Sequence, residues 1–188
     1  MTLALQVVAV GAGSASCTRD EPPPGASAPE RTASAAGATS KASPVGKRRV
    51  GKPELVLAPE GDEDAASVVA RELERAKSDE RDLVVYVGAT WCEPCQHFKR
   101  AVKRGELDDA FPGLRLLEFD ADRDNLRLRR AGYLTKMIPF FAVPRGDGTA
   151  APEGEGKQLE GAIKGPGAVA WLTPRLRKLL DEHASAPP

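Results

Sequence analysis

Leu83-Val84-Val85-Tyr86-Val87-Gly88-Ala89-Thr90-Trp91-Cys92-Glu93-Pro94-Cys95 joins an apolar run to two cysteines one helical turn apart. The run is continuous and rich in β-branched residues, so it reads as a buried central strand. Gly88-Ala89-Thr90 breaks it. A helical pattern follows the cysteines through Phe98 and Val102 to Gly105, a C-cap. Two thiols at this spacing can close a disulfide within one segment and open it again. They can also hold a soft metal such as copper or zinc.

Upstream, Leu55-Val56-Leu57 is a short strand. Asp62-Glu63-Asp64 puts negative charge at a helix start, where the dipole favours it. The helix continues from Ala65 to Lys77, with Val68, Val69, Leu73 and Ala76 on one side. Downstream, Leu114 to Phe119 is a strand, and the chain from Asp120 to Asn125 turns into a helix ending near Gly132. Pro139 to Val143 is a strand led by a proline. Arg145 to Gly156 is a hairpin loop, and Lys157 to Ile163 returns as a strand. Gly165-Pro166-Gly167 opens a last helix, Ala168 to Glu182, which Pro174 should kink or restart. The order β, α, β, α, β, α, β, β, α predicts an α/β sheet ending in an antiparallel hairpin.

Three matches, in this order, resemble the thioredoxin family. Ala89 to Cys95 is similar to its redox motif, including the proline before the second cysteine. Met137-Ile138-Pro139 resembles its cis-proline loop. Gly161-Ala162-Ile163-Lys164-Gly165 resembles the glycine-containing final strand that leads into the last helix. The resemblance covers about Leu55 to Leu180. It implies the thioredoxin fold, a central mixed β-sheet flanked by helices. It also implies a thiol–disulfide oxidoreductase whose only redox group is the Cys92–Cys95 disulfide, with no other cofactor and no metal. The alternative is a thioredoxin-like module that binds copper or zinc. Cytoplasmic members carry a buried Asp in the central strand and a Lys in the next one. Here Tyr86 and Glu118 stand nearest those places, so proton handling differs. The membrane-tethered and secreted branches look closer.

Within that resemblance Cys92, at a helix N-terminus, is the nucleophile, because backbone N–H groups and the dipole favour its thiolate. Cys95, one turn in, is the resolving thiol. Pro94 lies in the first helical turn, where its missing N–H costs nothing. Glu93 adds negative charge beside Cys92 and disfavours its thiolate. The expected potential is therefore nearer about −270 mV than the about −120 mV of strongly oxidising relatives. Pro139, in cis, bends the chain beside the cysteines, exposes Ile138 to substrate backbone and keeps metals from the thiols. Substrate contacts are implied at Trp91, Ile138 and Gly161.

Other candidates read as structural. His97 is expected as an exposed helix histidine and His183 as solvated. Arg123, Arg127 and Arg130 are expected as a solvated basic face, and Trp171 as core with Leu172 and Leu176.

Lys+Arg 27 balances Asp+Glu 27 in 188 residues, so charge draws the chain to neither nucleic acid nor lipid. Three cysteines leave Cys17 apart from the pair. Residues 1–16 hold an apolar run, Leu3 to Val10, then small residues, as in a secretory signal. Small residues before Cys17 resemble the lipobox of bacterial lipoproteins, which implies lipid attachment there. Ser14 stands where that pattern usually has Leu. The alternatives are a plain cleaved signal, giving a soluble periplasmic or secreted protein, and an unprocessed end. Residues 17–52 are rich in Pro, Gly, Ala and Ser and read as a disordered tether. The folded domain is assigned to 53–183 and a disordered tail to 184–188. The expected setting is the bacterial periplasm, anchored by lipid on Cys17. The expected partners are protein disulfides and a membrane or periplasmic electron donor, with the chain a monomer.

Overall fold

The computed structural model of the chain describes residues 51–152 and 154–184. The signal, most of the tether, Cys17 and nearly all of the tail lie outside these residues.

The strands form one five-stranded sheet in the order β1-β3-β2-β4-β5. They are β1 (Glu54–Leu57), β2 (Asp82–Gly88), β3 (Leu114–Asp120), β4 (Phe140–Ala142) and β5 (Gln158–Glu160). β3 pairs parallel with β1 and β2, whereas β4 pairs antiparallel with β2 and β5. β2 is therefore central, which is why six of its seven residues are buried. The helices are α1 (Ala65–Ser78), α2 (Glu93–Arg104), α3 (Asn125–Arg130) and α4 (Ala168–Ala184). The chain has the thioredoxin fold, a central mixed sheet flanked by helices.

Side-chain alternation along β2 builds two cores. Val84 and Tyr86 face one way, onto Phe98 and Val102 of α2 and Leu172 and Leu176 of α4. Val85 and Val87 face the other way, onto Val68 and Val69 of α1 and Leu128 of α3. Burying each large apolar side chain here contributes about 1.5–3 kcal/mol. The acidic start of α1 is a cap: Asp64 Oδ2 accepts from the Ser67 N–H at 3.2 Å. Gly105 ends α2 in the left-handed region. Arg115, 10% exposed at its side chain, ties β3 to its neighbours through Glu54 of β1, Glu72 of α1 (3.3 Å) and Asp79 (2.7 Å).

Several expectations are corrected. β5 is three residues long and does not reach Ile163, because Gly161 takes a φ of 74° and turns the chain off the sheet edge. β4 begins after Pro139, which has no N–H to give a ladder. The loop after β4 holds a further bridge, Pro144 to Ala150. α4 runs through Pro174 as one helix. Bonds from Thr173 Oγ1 to Val169 O (2.8 Å) and from Arg175 Nη1 to Trp171 O (2.9 Å) occupy the carbonyls on either side of Ala170, the one Pro174 leaves without its N–H. Leu172, Leu176 and Leu179, buried on both sides of the proline, hold the element to the core. Trp171 itself is only partly buried, with the Arg175 guanidinium over its ring.

The three arginines do not share one solvated face: Arg123 and Arg130 are exposed as expected, but Arg127 is not. Arg123 precedes α3, and Arg127 is 7% exposed. Arg127 donates to Asp124 (2.9 Å) and to the carbonyls of Pro59 (2.7 Å) and Glu63 (3.3 Å), the two carbonyls lying more than 60 residues away in sequence.

Candidate functional site

The end of β2 delivers the cysteines to the first turn of α2. Cys92 is the N-cap of α2, and Pro94 sits in the first turn, as the missing donor allows. The two sulfurs are bonded at 2.06 Å, with Cα atoms 5.2 Å apart. The Cys95 N–H donates to Cys92 Sγ at 3.3 Å. Once the disulfide opens, that N–H and the α2 dipole act on a Cys92 thiolate, the arrangement that lowers a thiol's pKa. Both cysteines are buried, Cys92 at 4% and Cys95 at 0%. Cys92 is thus the only one of the two with any exposure.

Around the pair, Trp91 is 65% exposed and its Nε1 donates to Asp122 Oδ2 at 2.7 Å. The sequence does not single out Asp122. It follows β3 by two residues, and only the fold brings it across 31 residues to the motif. Glu93 is exposed, and its carboxylate lies 3.7 Å from His97 Nε2, one turn along α2. His97 is half-buried rather than exposed, because Glu93 and Arg100 (3.1 Å from Nδ1) flank its ring. Among the described residues no group of three or more His, Cys, Asp and Glu side chains is placed to hold a metal.

The Ile138–Pro139 peptide is cis. Val87 pairs with Phe140 in antiparallel register. That pair is the last of the ladder, so the cis-proline enters β4 at the end of β2 from which the cysteine loop leaves. Ile138 is half-buried against the core cluster that contains both cysteines. Gly161 donates its N–H to Pro139 O at 2.9 Å and is buried beneath Met137. The surface there is thus Met137, 58% exposed, rather than Gly161 itself.

Behind the disulfide, Tyr86 stacks on Phe141 and tilts against Phe98. Its hydroxyl points toward Gly88, where a Cβ would come within 2.7 Å of it. A glycine ends β2 because the tyrosine oxygen occupies the space of a side chain. The hydroxyl is buried without a hydrogen-bond partner among the described residues. Burial, and secondarily the Glu118 charge, push its pKa above the ordinary tyrosine value. Glu118 pairs with Tyr86 in the β2–β3 register, and Lys99 of α2 meets its carboxylate at 2.5 Å. The charged pair beside Tyr86 is therefore supplied by β3 and α2.

Tyr86→Phe should stabilise the oxidised protein by about 1–3 kcal/mol, because it removes an unpaired buried hydroxyl and keeps both ring contacts. Urea unfolding of the two oxidised proteins measures the difference. A loss of stability in the variant would mean that the hydroxyl has a partner.

No protein-family model and no curated protein matches the chain. Several solved structures are similar. One is oxidised thioredoxin O1 from Arabidopsis thaliana, at 17% identity, covering 70% of this chain and 97% of that one, with a TM-score of 0.41. Thioredoxin from Trypanosoma brucei brucei gives 18%, 72%, 98% and 0.40. A wild-type thioredoxin h from poplar gives 21%, 73%, 100% and 0.40.

Proposed function

We propose that the chain is a thiol–disulfide oxidoreductase of thioredoxin type, acting as a protein-disulfide reductase outside the cytoplasm. The observation that carries the chemistry is the Cys92–Cys95 disulfide, with Cys92 at the N-cap of α2. In the reduced protein the Cys92 thiolate attacks one sulfur of a substrate disulfide. A Cys92–substrate bond forms, and the substrate's other sulfur leaves as a thiolate and takes a proton from water. The Cys95 thiolate then attacks Cys92 Sγ. The internal disulfide forms, and the second substrate thiol is released. Two electrons pass from the protein's dithiol to the substrate, and a membrane or periplasmic dithiol donor returns the protein to the reduced state.

Ile138, next to Pro139, offers backbone groups to the substrate chain, and Trp91 and Met137 offer apolar surface. The apolar run of residues 1–16, the small residues before Cys17 and the tether-like composition of 17–52 support a bacterial lipoprotein held at a membrane. Glu93 supports a reducing rather than an oxidising role.

The test has two arms. The reduced chain should cleave insulin disulfides with dithiothreitol as donor. Expressed in bacteria from its full sequence, it should also take up radiolabelled palmitate in a manner that Cys17→Ser abolishes. Failure to reduce insulin sinks the activity, and label-free chain at the membrane sinks the anchor.

A further inference from the structure

Met137 is exposed, so burial does not fix the loop that carries it and Ile138 toward substrate. Hydrogen bonds do so instead, three of them to one carboxylate. Glu160 is the last residue of β5, opposite Phe140 of β4, and its side chain turns back over the loop before Pro139. Its Oε2 accepts from the backbone N–H of Lys136 at 3.0 Å and of Met137 at 3.4 Å, and lies 3.1 Å from Thr135 Oγ1. Thr135 closes the same turn from within. Its hydroxyl donates to Met137 O at 2.6 Å and accepts from the Met137 N–H at 3.2 Å. The next residue, Gly161, bonds Pro139 O and lies under Met137, where a Cβ would be 3.3 Å from Met137 Cε. Two neighbouring residues, at the end of β5 and just beyond it, thus hold residues 135–139 from below. The donors keep the Glu160 carboxyl below its usual range, the Lys136 N–H foremost, and so hold it ionised at neutral pH.

We propose that Glu160 is a positioning residue for protein substrates: by fastening Thr135–Met137 to the sheet edge, it presets the Met137–Ile138 strip that a substrate chain lies against. This rests on the oxidoreductase reading of the same site. A chain docking on a fastened strip orders few new groups. Released from Glu160, the strip must be ordered at each binding event, and affinity falls. The reacting sulfurs lie at the N-cap and in the first turn of α2, and neither bonds Glu160. The penalty therefore appears in binding a protein substrate and not in the chemical step.

The experiment compares wild type, Glu160→Ala and Glu160→Gln, using insulin and the small disulfide 5,5′-dithiobis(2-nitrobenzoate). Glu160→Ala should raise KM for insulin about tenfold while kcat changes less than about twofold. The small disulfide, which needs no strip, should lose less than about twofold. Glu160→Gln keeps an acceptor oxygen and the size of the side chain, so it should fall between the two. Amide exchange adds a readout that needs no turnover: the Lys136 N–H should exchange faster in Glu160→Ala. If the wild type reduces both substrates and Glu160→Ala leaves KM for insulin and Lys136 exchange unchanged, the inference fails alone. Equal losses on both disulfides also overturn it, since they mark general damage to the site. A wild type that reduces neither sinks the proposed function, and this inference with it.

Discussion

Cys95→Ser should accumulate a covalent complex with substrate, whereas Cys92→Ser should trap nothing and should reduce insulin no faster than dithiothreitol alone. The asymmetry follows from where α2 places each sulfur. Cys92 is the N-cap, accepts an N–H from Cys95, and is the cysteine with some exposure. It can meet a substrate disulfide as a thiolate. Cys95 is fully buried, one turn further in, and can reach only what is already bonded to Cys92. Removing Cys95 stops the reaction after its first displacement, with substrate attached. Removing Cys92 stops it before any displacement.

Stability does not blur the comparison. Both variants lose the same short loop, closed across a sequence separation of 3. By the chain-entropy estimate each therefore falls below the oxidised wild type by the same amount, about 2 kcal/mol. Non-reducing electrophoresis after mixing with insulin, followed by mass analysis of the trapped species, reads the outcome. A complex formed through Cys95 in the Cys92→Ser protein would reverse the assigned roles.

The features that sequence revealed share a cause: they depend on neighbours close in the chain. A continuous apolar β2, an aspartate before α1, and a glycine after α2 each act within one element, and each is where local physics puts it. The Cys92 and Cys95 positions belong to this class too, because a strand, a break and a helix start are consecutive.

What escaped the reading is long-range. Glu160 is one more charged residue on an edge strand until the loop at 135–137 folds over it. Asp122 is one of two aspartates just after β3 until Trp91 arrives beside it. The three arginines near α3 look like a solvated face because nothing local shows that the carbonyls of Pro59 and Glu63 come to meet Arg127. Pro174 suggests a break, and the apolar residues that carry α4 across it act through tertiary packing that a helix rule does not contain.

Asp124→Asn should cost the fold about 3 kcal/mol near neutral pH, a large effect for a single-atom change far from the cysteines. The Asp124 side chain is 1% exposed and stands between two guanidinium groups. Arg123 donates to it twice at 3.1 Å, Arg127 donates at 2.9 and 3.1 Å, and its Oδ2 accepts from the Asp120 N–H at 2.8 Å. Arg127 is itself buried, over the Phe119 ring. Neutralising Asp124 leaves that cation with carbonyl oxygens in place of its buried counter-charge. Breaking a buried pair in this way typically costs about 3–5 kcal/mol. Asparagine keeps one acceptor, which places the expectation at the lower end.

The same carboxylate also sets the approach to the site. It holds the Asp120 N–H, and Asp120 Oδ1 in turn accepts from the N–H groups of Asp122 and Arg123 at 3.0 Å each. That turn aims Asp122 at the Trp91 indole. A fold contact and a site contact thus share one anchor.

Acid titration separates charge from hydrogen bonding. Burial alone would raise the Asp124 pKa. The Arg123 and Asp120 bonds and the Arg127 charge outweigh it, so the folded value lies below the ordinary aspartate value. Between the two values the unfolded chain binds the extra proton, so stability rises with pH there. The contribution is complete above the ordinary value of about 3.9 and is lost as pH falls through the folded value. Urea unfolding of wild type and Asp124→Asn should therefore show the full gap at pH 7 and a shrinking gap below about pH 4. A gap of the same size at both pH values would mean that Asp124 acts only as an acceptor, and that the Arg127 cation is held by hydrogen bonds to its carbonyl partners rather than by a counter-charge.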